Sequence, residues 1–232
     1  ESVVMYLARY TGLDVRPAEN LFRVTQSMGD VLAYSGAVRR LAVEVGKIAS
    51  DLRLLSMGPR AGIAEIQLPA VQPGSSIMPG KVNPSIPEMV NQVCFQVIGN
   101  DTCVSASAEH GQLELNVMMP VIAYNVLLSM RILSSAAGSL DQRCVRGIEV
   151  NEEQCAYWLE RSAALATALA PQIGYAAAAE LSKRSVKENV LIRELVRREG
   201  VLPPDQADDV LDLRKMTEIG VPGGKHGGVA AG

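Results

Sequence analysis

Residues 28–57 read MGDVLAYSGAVRRLAVEVGKIASDLRLLSM, and their apolar side chains recur at alternating steps of three and four. The recurring positions are Val31, Tyr34, Val38, Leu41, Val45, Ile48, Leu52 and Leu55. This spacing predicts a helix of about 30 residues, or about 45 Å, that ends at Gly58-Pro59. Helices of this length are typical of coiled coils and elongated bundles. We therefore predict an all-α fold built on a long-helix bundle, with an ordinary core helix as the alternative.

Two further long helices are predicted downstream. One follows Pro84 and fades near His110, with an apolar face of Ile86, Val90, Val93, Val97 and Val104. The other runs from about Pro120 to Leu140, with a stripe of Ile122, Val126, Met130, Leu133, Ala137 and Leu140. Both patterns have the helical period of three to four residues. Together with residues 28–57 they place three long helices in one bundle segment, residues 1–146.

The pattern changes after about residue 147, where a small helical C-terminal domain is predicted over 147–219. Asn151 followed by Gln154 resembles a capping box and predicts a helix that ends before Pro171. Shorter helices are predicted over 176–184, 188–199 and 207–213, and the Gly-rich stretch 220–232 is predicted to be a flexible tail. No strand is predicted anywhere.

Composition excludes several classes of protein. The chain has 232 residues, 22 Lys+Arg against 25 Asp+Glu, and a net charge of -3, so no basic stripe points to nucleic acid. The sequence contains no run of 18 apolar residues, so no membrane-spanning helix is predicted. The four cysteines form no Cys-x-x-Cys pair, which argues against zinc and favours reduced thiols in a cytoplasmic protein.

The segment 71–84, VQPGSSIMPGKVNP, interrupts the helical pattern with three prolines and two glycines. It predicts a loop longer than two packed helices need, and surplus loops often carry function. Lys81 is the only charged residue between Gln67 and Pro87. Nearby in the sequence are two hydroxyls, one amide, and glycines whose backbone N–H groups are free to bind an anion. Such a set suits a carboxylate. Composition alone leaves a flexible turn with an exposed lysine as an equal alternative.

This loop resembles the signature of the fumarase/aspartase superfamily, Gly-Ser-Ser-x-Met-Pro-x-Lys-x-Asn-Pro. All eight fixed positions match: Gly74, Ser75, Ser76, Met78, Pro79, Lys81, Asn83 and Pro84. The resemblance extends from about Arg16 to Leu213. The segments 50–55, 87–95 and 108–116 look like the aspartate ammonia-lyase branch, and fumarate hydratase is the runner-up.

The resemblance implies an ammonia-lyase that converts L-aspartate to fumarate and ammonia, an enzyme of amino-acid metabolism. It makes Ser75 the catalytic base that removes the proton beside a carboxylate, whose dianion must then be stabilised. It gives substrate contacts to Ser76, Lys81 and Asn83. Supporting positions are Gly74, Met78, Gly80 and Glu88, the last matching a carboxylate that orients a histidine in the family.

Family members run to roughly twice this length, and this chain resembles only their second half. The family's upstream substrate motifs, including its histidine motif, have no match here. The resemblance implies a homotetramer whose active sites are shared between subunits, with no required cofactor and no metal ligands. Magnesium activation, known in some aspartases, is left open. Two explanations are open: a portion of a larger enzyme with an incomplete site, or a non-catalytic helical oligomerisation fragment.

Overall fold

The computed structural model describes residues 2–74 and 77–221. The chain divides into two compact units, Glu1–Val150 and Asn151–Gly232. The division lies four residues after the domain boundary expected from the sequence, at 146/147. Most of the expected tail, 222–232, lies outside the described residues.

The first unit is dominated by three long helices. Two short helices, α1 (Ser2–Thr11) and α2 (Leu21–Gln26), precede α3 (Gly29–Leu55). Two more long helices follow, α4 (Ser85–Glu109) and α5 (Met119–Arg143). A 3-10 turn, Val145–Gly147, closes this series. The all-α, long-helix architecture expected from the sequence is confirmed.

The core of this unit lies where α4 packs against α3 on one side and α5 on the other. The expected face of α4 is confirmed, because Val90, Val97 and Val104 are each at most 1% exposed. On α5, Ile122, Leu133 and Leu140 are buried, while Met130 and Ala137 of the expected stripe are exposed. Ala136, one position earlier, takes the buried place. The valine-rich helices are therefore held by packing rather than by intrinsic propensity.

The seam expected on α3 is only half buried. Val38, Val45 and Leu52 pack against the core, but Tyr34, Leu41 and Ile48 are about half exposed. The positions fully buried on α3 are small, namely Ser35, Ala42 and Ala49. Small side chains bring α3 close to α4: a Cβ added at Gly46 would lie 3.4 Å from the Cβ of Cys94. The sequence pattern overlooked these positions because large apolar residues dominate it.

Buried polar side chains also join the long helices. Asp101, 8% exposed by its side chain, accepts a hydrogen bond from Ser35 Oγ at 2.6 Å and pairs with Arg39 at 3.3 Å. Asn100 Nδ2 donates to Ser129 Oγ at 2.9 Å. Because unpaired buried polar groups are costly, these contacts fix which faces of the helices meet.

The prediction that the chain contains no strand is wrong. Two short strands, β1 (Ile66–Gln67) and β2 (Glu149–Val150), pair antiparallel, with Ile66 opposite Val150. Two-residue strands give no periodic signal, and their partners lie about 80 residues apart in the chain. The pairing ties the segment after α3 to the end of the first unit.

Up to residue 221, where the description ends, the second unit contains five shorter helices: α6 (Glu152–Arg161), α7 (Leu165–Ile173), α8 (Tyr175–Glu188), α9 (Ile192–Glu199) and α10 (Pro204–Val210). A second 3-10 turn, Lys215–Thr217, follows. The core of the second unit is apolar, and five of its side chains are at most 1% exposed: Leu165, Leu169, Leu195, Val196 and Val210. The expected Asn151 cap is confirmed, since its Oδ1 accepts from the Gln154 N–H at 3.2 Å.

Two helix boundaries expected in this unit are wrong. The helix beginning after Asn151 breaks at Ser162, which is extended and accepts from the Ala164 N–H at 3.2 Å, so α7 is separate and contains Pro171. Asn189, with φ of 52°, ends α8 in the left-handed conformation, so residues 188–199 are not one helix. A side-chain hydrogen bond at Ser162 and a left-handed backbone at Asn189 therefore override the helical period at these two points.

Arginine–glutamate pairs join α8 to α9. Arg184 pairs with Glu188 and Glu199, and Arg198 pairs with Glu188 at 2.8 Å. Hydrogen bonds from Arg198 and Arg184 hold the pKa of the Glu188 carboxyl below its ordinary value. The bond from Arg184 does the same for the pKa of Glu199. Both carboxylates therefore stabilise this unit only while they are ionised.

The four cysteines are free thiols, as expected. Burial raises the pKa of the Cys94 and Cys144 thiols. One stretch of the described chain, Met119–Gly147, is long and apolar enough to cross a membrane on length and composition alone. Core helices meet the same criterion, and Ile122, Leu133 and Leu140 of this stretch are buried. The absence of a membrane partner stays a prediction.

Candidate functional site

The loop between β1 and α4 carries the predicted site residues, and the structure describes it on both sides of Ser75 and Ser76. Those two serines, expected as the catalytic base and a substrate contact, lie outside the described residues. The remaining predicted residues, Gly74, Met78, Gly80, Lys81, Asn83 and Glu88, are all described. Their geometry shows what the loop presents.

The two arms of the loop meet at Gly74 and Lys81. A Cβ added at Gly74 would lie 1.8 Å from the carbonyl oxygen of Lys81, a distance that no side chain could occupy. Glycine is therefore required for the close approach. Between the arms, the Lys81 N–H donates to the Met78 carbonyl at 3.2 Å, and Gly80 has a φ of +81°. Both glycines of the loop thus have a backbone reason for their identity.

The second arm turns into α4 through Asn83, Pro84 and Ser85. Pro84 has φ of -76° and ψ of 59°, and the Ser85 N–H donates to the Asn83 carbonyl at 2.8 Å. These values are those of an inverse γ-turn, and proline favours the required φ. Ser85 Oγ also donates to the Asn83 carbonyl, at 3.4 Å. The turn therefore fixes the backbone of a predicted substrate-binding residue.

A side-chain contact closes the base of the loop below these turns. Gln72 Nε2 donates to Ser85 Oγ at 2.6 Å, across 13 positions of sequence. We call the two contacts, Gln72 with Ser85 and Gly74 with Lys81, the loop neck. Sequence reasoning did not single out Gln72 or Ser85, since neither lies in the signature and only their pairing across the loop reveals them.

The loop presents its polar groups to solvent. Lys81 and Met78 are exposed, while Asn83 is half-buried. In the described part of the chain, no carboxylate lies within ion-pair distance of the Lys81 ammonium. An accessible ammonium can bind one carboxylate of a small acid through its charge, and the amide of Asn83, two residues away in the chain, can add hydrogen bonds.

Glu88 lies in the first turn of α4, one turn after Pro84. Its N–H donates to the Pro84 carbonyl at 3.1 Å, and the residue is half-buried. Over residues 2–74 and 77–221, no histidine contacts its carboxylate; His110 is at the far end of α4 and bonds the Ala106 carbonyl through Nδ1 at 2.7 Å. The described residues therefore provide no histidine for Glu88 to orient.

A polar network missed by sequence reasoning supports the start of α4. Asn91, 3% exposed, donates through Nδ2 to the Gly46 carbonyl at 2.8 Å and to Ser50 Oγ at 3.1 Å. Its Oδ1 accepts from Arg53 at 3.0 Å. Because Asn91 follows the loop by two helical turns, the network anchors the helix that carries the loop's second arm. A buried asparagine on an otherwise apolar face was the available signal.

An open groove of about 460 Å³ lies at the opposite end of α4. Its lining mixes polar and apolar residues, among them Gln26, Met28, Ser105, Glu109 and Leu113. The 25-residue α4 separates it from the loop by roughly 36 Å, so it is not part of the same site. Among the described residues, no group of three or more His, Cys, Asp or Glu is arranged to hold a metal ion.

Comparison with known proteins places these features in context. Residues 1–99 match the family described as "Lyase", and residues 165–218 match "Fumarase C C-terminus". Aspartate ammonia-lyase of Pseudomonas fluorescens is 50% identical over 213 residues, which cover 92% of this chain and 45% of that protein. Aspartate ammonia-lyase of Bacillus subtilis is 43% identical, over 96% of this chain and 47% of its own length.

Solved structures of the same family resemble this chain in fold. A fumarate lyase:delta crystallin from Brucella melitensis, bound to cobalt, has a TM-score of 0.85 and 49% identity over 93% of this chain and 46% of its own. The class II fumarase of Schistosoma mansoni has a TM-score of 0.84 and 34% identity over 93% of this chain and 47% of its own. The chain spans about half the length of the curated relatives it matches.

Proposed function

We propose that this chain, which belongs to the fumarase/aspartase superfamily, carries the signature-loop part of an aspartate ammonia-lyase. The observation that carries the proposal is the loop neck, beside which Lys81 is exposed and Asn83 half-buried, with no carboxylate near the Lys81 ammonium among the described residues. Aspartate ammonia-lyases at 43–50% identity support the choice of reaction. The substrate is a small dicarboxylate, L-aspartate in one direction and fumarate in the other.

In the proposed reaction, Ser75 takes the proton from the carbon beside one carboxylate. The electron pair of that C–H bond passes through the dianionic carboxylate, forms the carbon–carbon double bond of fumarate, and expels ammonia with the electrons of the C–N bond. A serine is basic enough only if its oxyanion is stabilised by donors or a nearby cation. Lys81 is the cation that we propose for carboxylate binding, with Ser76 and Asn83 as hydrogen-bonding partners.

Gly74, Gly80 and Met78 support the loop's shape, and Glu88 orients a catalytic group that other parts of the full site supply. We propose a homotetramer with shared active sites, in which the exposed Tyr34, Leu41 and Ile48 of α3 contact neighbouring helices. No cofactor is needed for the chemistry, while magnesium activation is a proposal that metal titration tests. The four free thiols support a cytoplasmic location.

The test joins the upstream half of the Pseudomonas fluorescens relative to this chain, and follows fumarate by ultraviolet absorbance. L-aspartate and L-malate are supplied in parallel. Turnover of L-aspartate alone supports the proposal, and turnover of L-malate alone refutes it in favour of a fumarate hydratase. That second candidate is favoured by the 34% identity to the class II fumarase of Schistosoma mansoni.

The third candidate, a non-catalytic oligomerisation fragment, rests on the exposed apolar residues of α3. Light scattering on the 232-residue chain tests its association. We expect a species larger than the monomer, and a clean monomer would contradict the proposed assembly. An assembled chimera that turns over neither substrate would leave the oligomerisation role as the better account.

A further inference from the structure

The base of the signature loop contains a hydrogen-bonded chain that lies outside the eight signature positions. Gln72 Nε2 donates to Ser85 Oγ at 2.6 Å, and Ser85 Oγ in turn donates to the Asn83 carbonyl at 3.4 Å. The Ser85 hydroxyl thus connects the first arm of the loop to the backbone of Asn83. A hydroxyl can do this because it donates and accepts at once.

Ser85 is well placed for this role. It is the first residue of α4, so its backbone is fixed by the helix, and its N–H also donates to the Asn83 carbonyl at 2.8 Å. The hydroxyl is half-buried, whereas Gln72 is exposed. The flexible partner is therefore Gln72, and the rigid partner is Ser85 with the inverse γ-turn around Pro84.

We propose that Gln72 and Ser85 are positioning residues that close the loop neck and so fix Lys81 and Asn83 for a dicarboxylate. This inference rests on the proposed function, because it takes the substrate contacts of Lys81 and Asn83 from it. Neither residue touches the substrate. Without the hydroxyl, the first arm separates from Asn83, and the contact of Gly74 with Lys81 loses its support.

Lys81 itself provides the measurement. It is the only lysine or arginine between residues 61 and 130, so a tryptic cut there yields fragments 1–81 and 82–232 that identify the site. At low trypsin concentration the rate of this cut follows the population of the open neck. The readout needs no enzymatic activity and uses the 232-residue chain.

The matched variants are Ser85→Val and Ser85→Thr, which have the same shape and differ in the hydroxyl. We expect Ser85→Val to speed cleavage at Lys81 by about 3- to 10-fold, the range for loss of one hydrogen bond. Ser85→Thr should cleave at the parent rate. Gln72→Leu removes only the contact with Ser85, so it should speed cleavage no more than Ser85→Val, which also removes the bond to the Asn83 carbonyl. The double variant should be no faster than Ser85→Val, because that variant already lacks the contact with Gln72.

Fumarate adds the functional arm. In the chimera with the upstream half, which completes the proposed site, fumarate should slow cleavage at Lys81 of the parent sequence. Ser85→Val should raise the half-protecting concentration in that chimera by about 3- to 10-fold, while Ser85→Thr leaves it unchanged. Circular dichroism should show equal helix content in all variants.

The inference is overturned if Ser85→Val cleaves at the parent rate, if Ser85→Thr behaves like Ser85→Val, or if the effects of the two single variants multiply. Fumarate that fails to protect the parent chimera overturns the substrate role proposed for Lys81 and, with it, the purpose given to the neck. The valine and threonine comparison then still shows whether the neck contact itself exists.

Discussion

Replacing Gly74 with alanine should open the loop neck. The added Cβ would lie 1.8 Å from the Lys81 carbonyl oxygen, and real Cβ contacts stay beyond 3.0 Å, so the two arms must separate by more than 1 Å. Both atoms in conflict are part of the backbone, which cannot turn aside as a flexible side chain can. Overpacking of this kind costs about 1–3 kcal/mol, which corresponds to about a 5- to 150-fold larger population of open loop.

Limited trypsin digestion measures that population at Lys81. We expect Gly74→Ala to be cut about 5- to 150-fold faster than the parent, with an unchanged circular dichroism spectrum. In a chimera that turns over L-aspartate, a displacement of about 1 Å at a substrate-binding group should lower kcat/KM by on the order of 100-fold. Both effects follow from the same separation of the arms.

Gly99→Ala is the matched control, because Gly99 lies within α4 and nothing would contact its new Cβ within 4 Å. It should leave cleavage at Lys81 unchanged and raise helix stability by about 0.5–1 kcal/mol. If Gly74→Ala is cut no faster than Gly99→Ala, the close approach of the two arms does not govern the loop, and the neck is wrong.

Two further predictions concern stability. Asn91→Ala removes three hydrogen bonds from a buried site and should cost about 2–4 kcal/mol in the urea unfolding of the first unit, followed by circular dichroism. Exposed Gln92→Ala is its control, and equal midpoints for the two would contradict the anchoring role. In the second unit, the carboxyls of Glu188 and Glu199 have pKa values below their ordinary value of 4.5. Their ion pairs therefore add stability that is fully present above pH 4.5 and is lost as the pH falls through the lowered pKa values of the folded state. The urea midpoint of unfolding, followed by fluorescence of the single tryptophan, Trp158, should therefore decrease less on acidification in Glu188→Gln than in the parent. Equal decreases in the two proteins would refute the ion-pair account.

The sequence predicted the long helices well because their apolar faces extend over many turns. Valines at steps of seven on α4 leave little choice about which face is buried. On α3 the same reasoning selected Tyr34, Leu41 and Ile48, which are about half exposed. The period identifies an apolar surface but cannot say which neighbour covers it, and small residues such as Ala42 escape attention because their contribution is close approach, not area.

The parts that the sequence missed depend on contacts between distant segments. Strands of two residues carry no period, and their pairing appears only when residues 66–67 and 149–150 meet. The same holds for Gln72 and Ser85, which are unremarkable until the loop closes. The signature residues could be predicted because their amino-acid pattern is specific. The turn at Pro84 and the close approach of Gly74 to the Lys81 carbonyl give the physical reason why that pattern suits the loop.

The proposed function makes Ser75 of this loop the base in the elimination of ammonia from L-aspartate. The most direct measurement compares initial rates of fumarate formation from L-aspartate by the chimera with Ser75 and with Ser75→Ala, at matched folding and assembly. The account predicts that kcat falls by on the order of 1000-fold or more in Ser75→Ala while the affinity for fumarate changes little. Turnover retained in Ser75→Ala would contradict it.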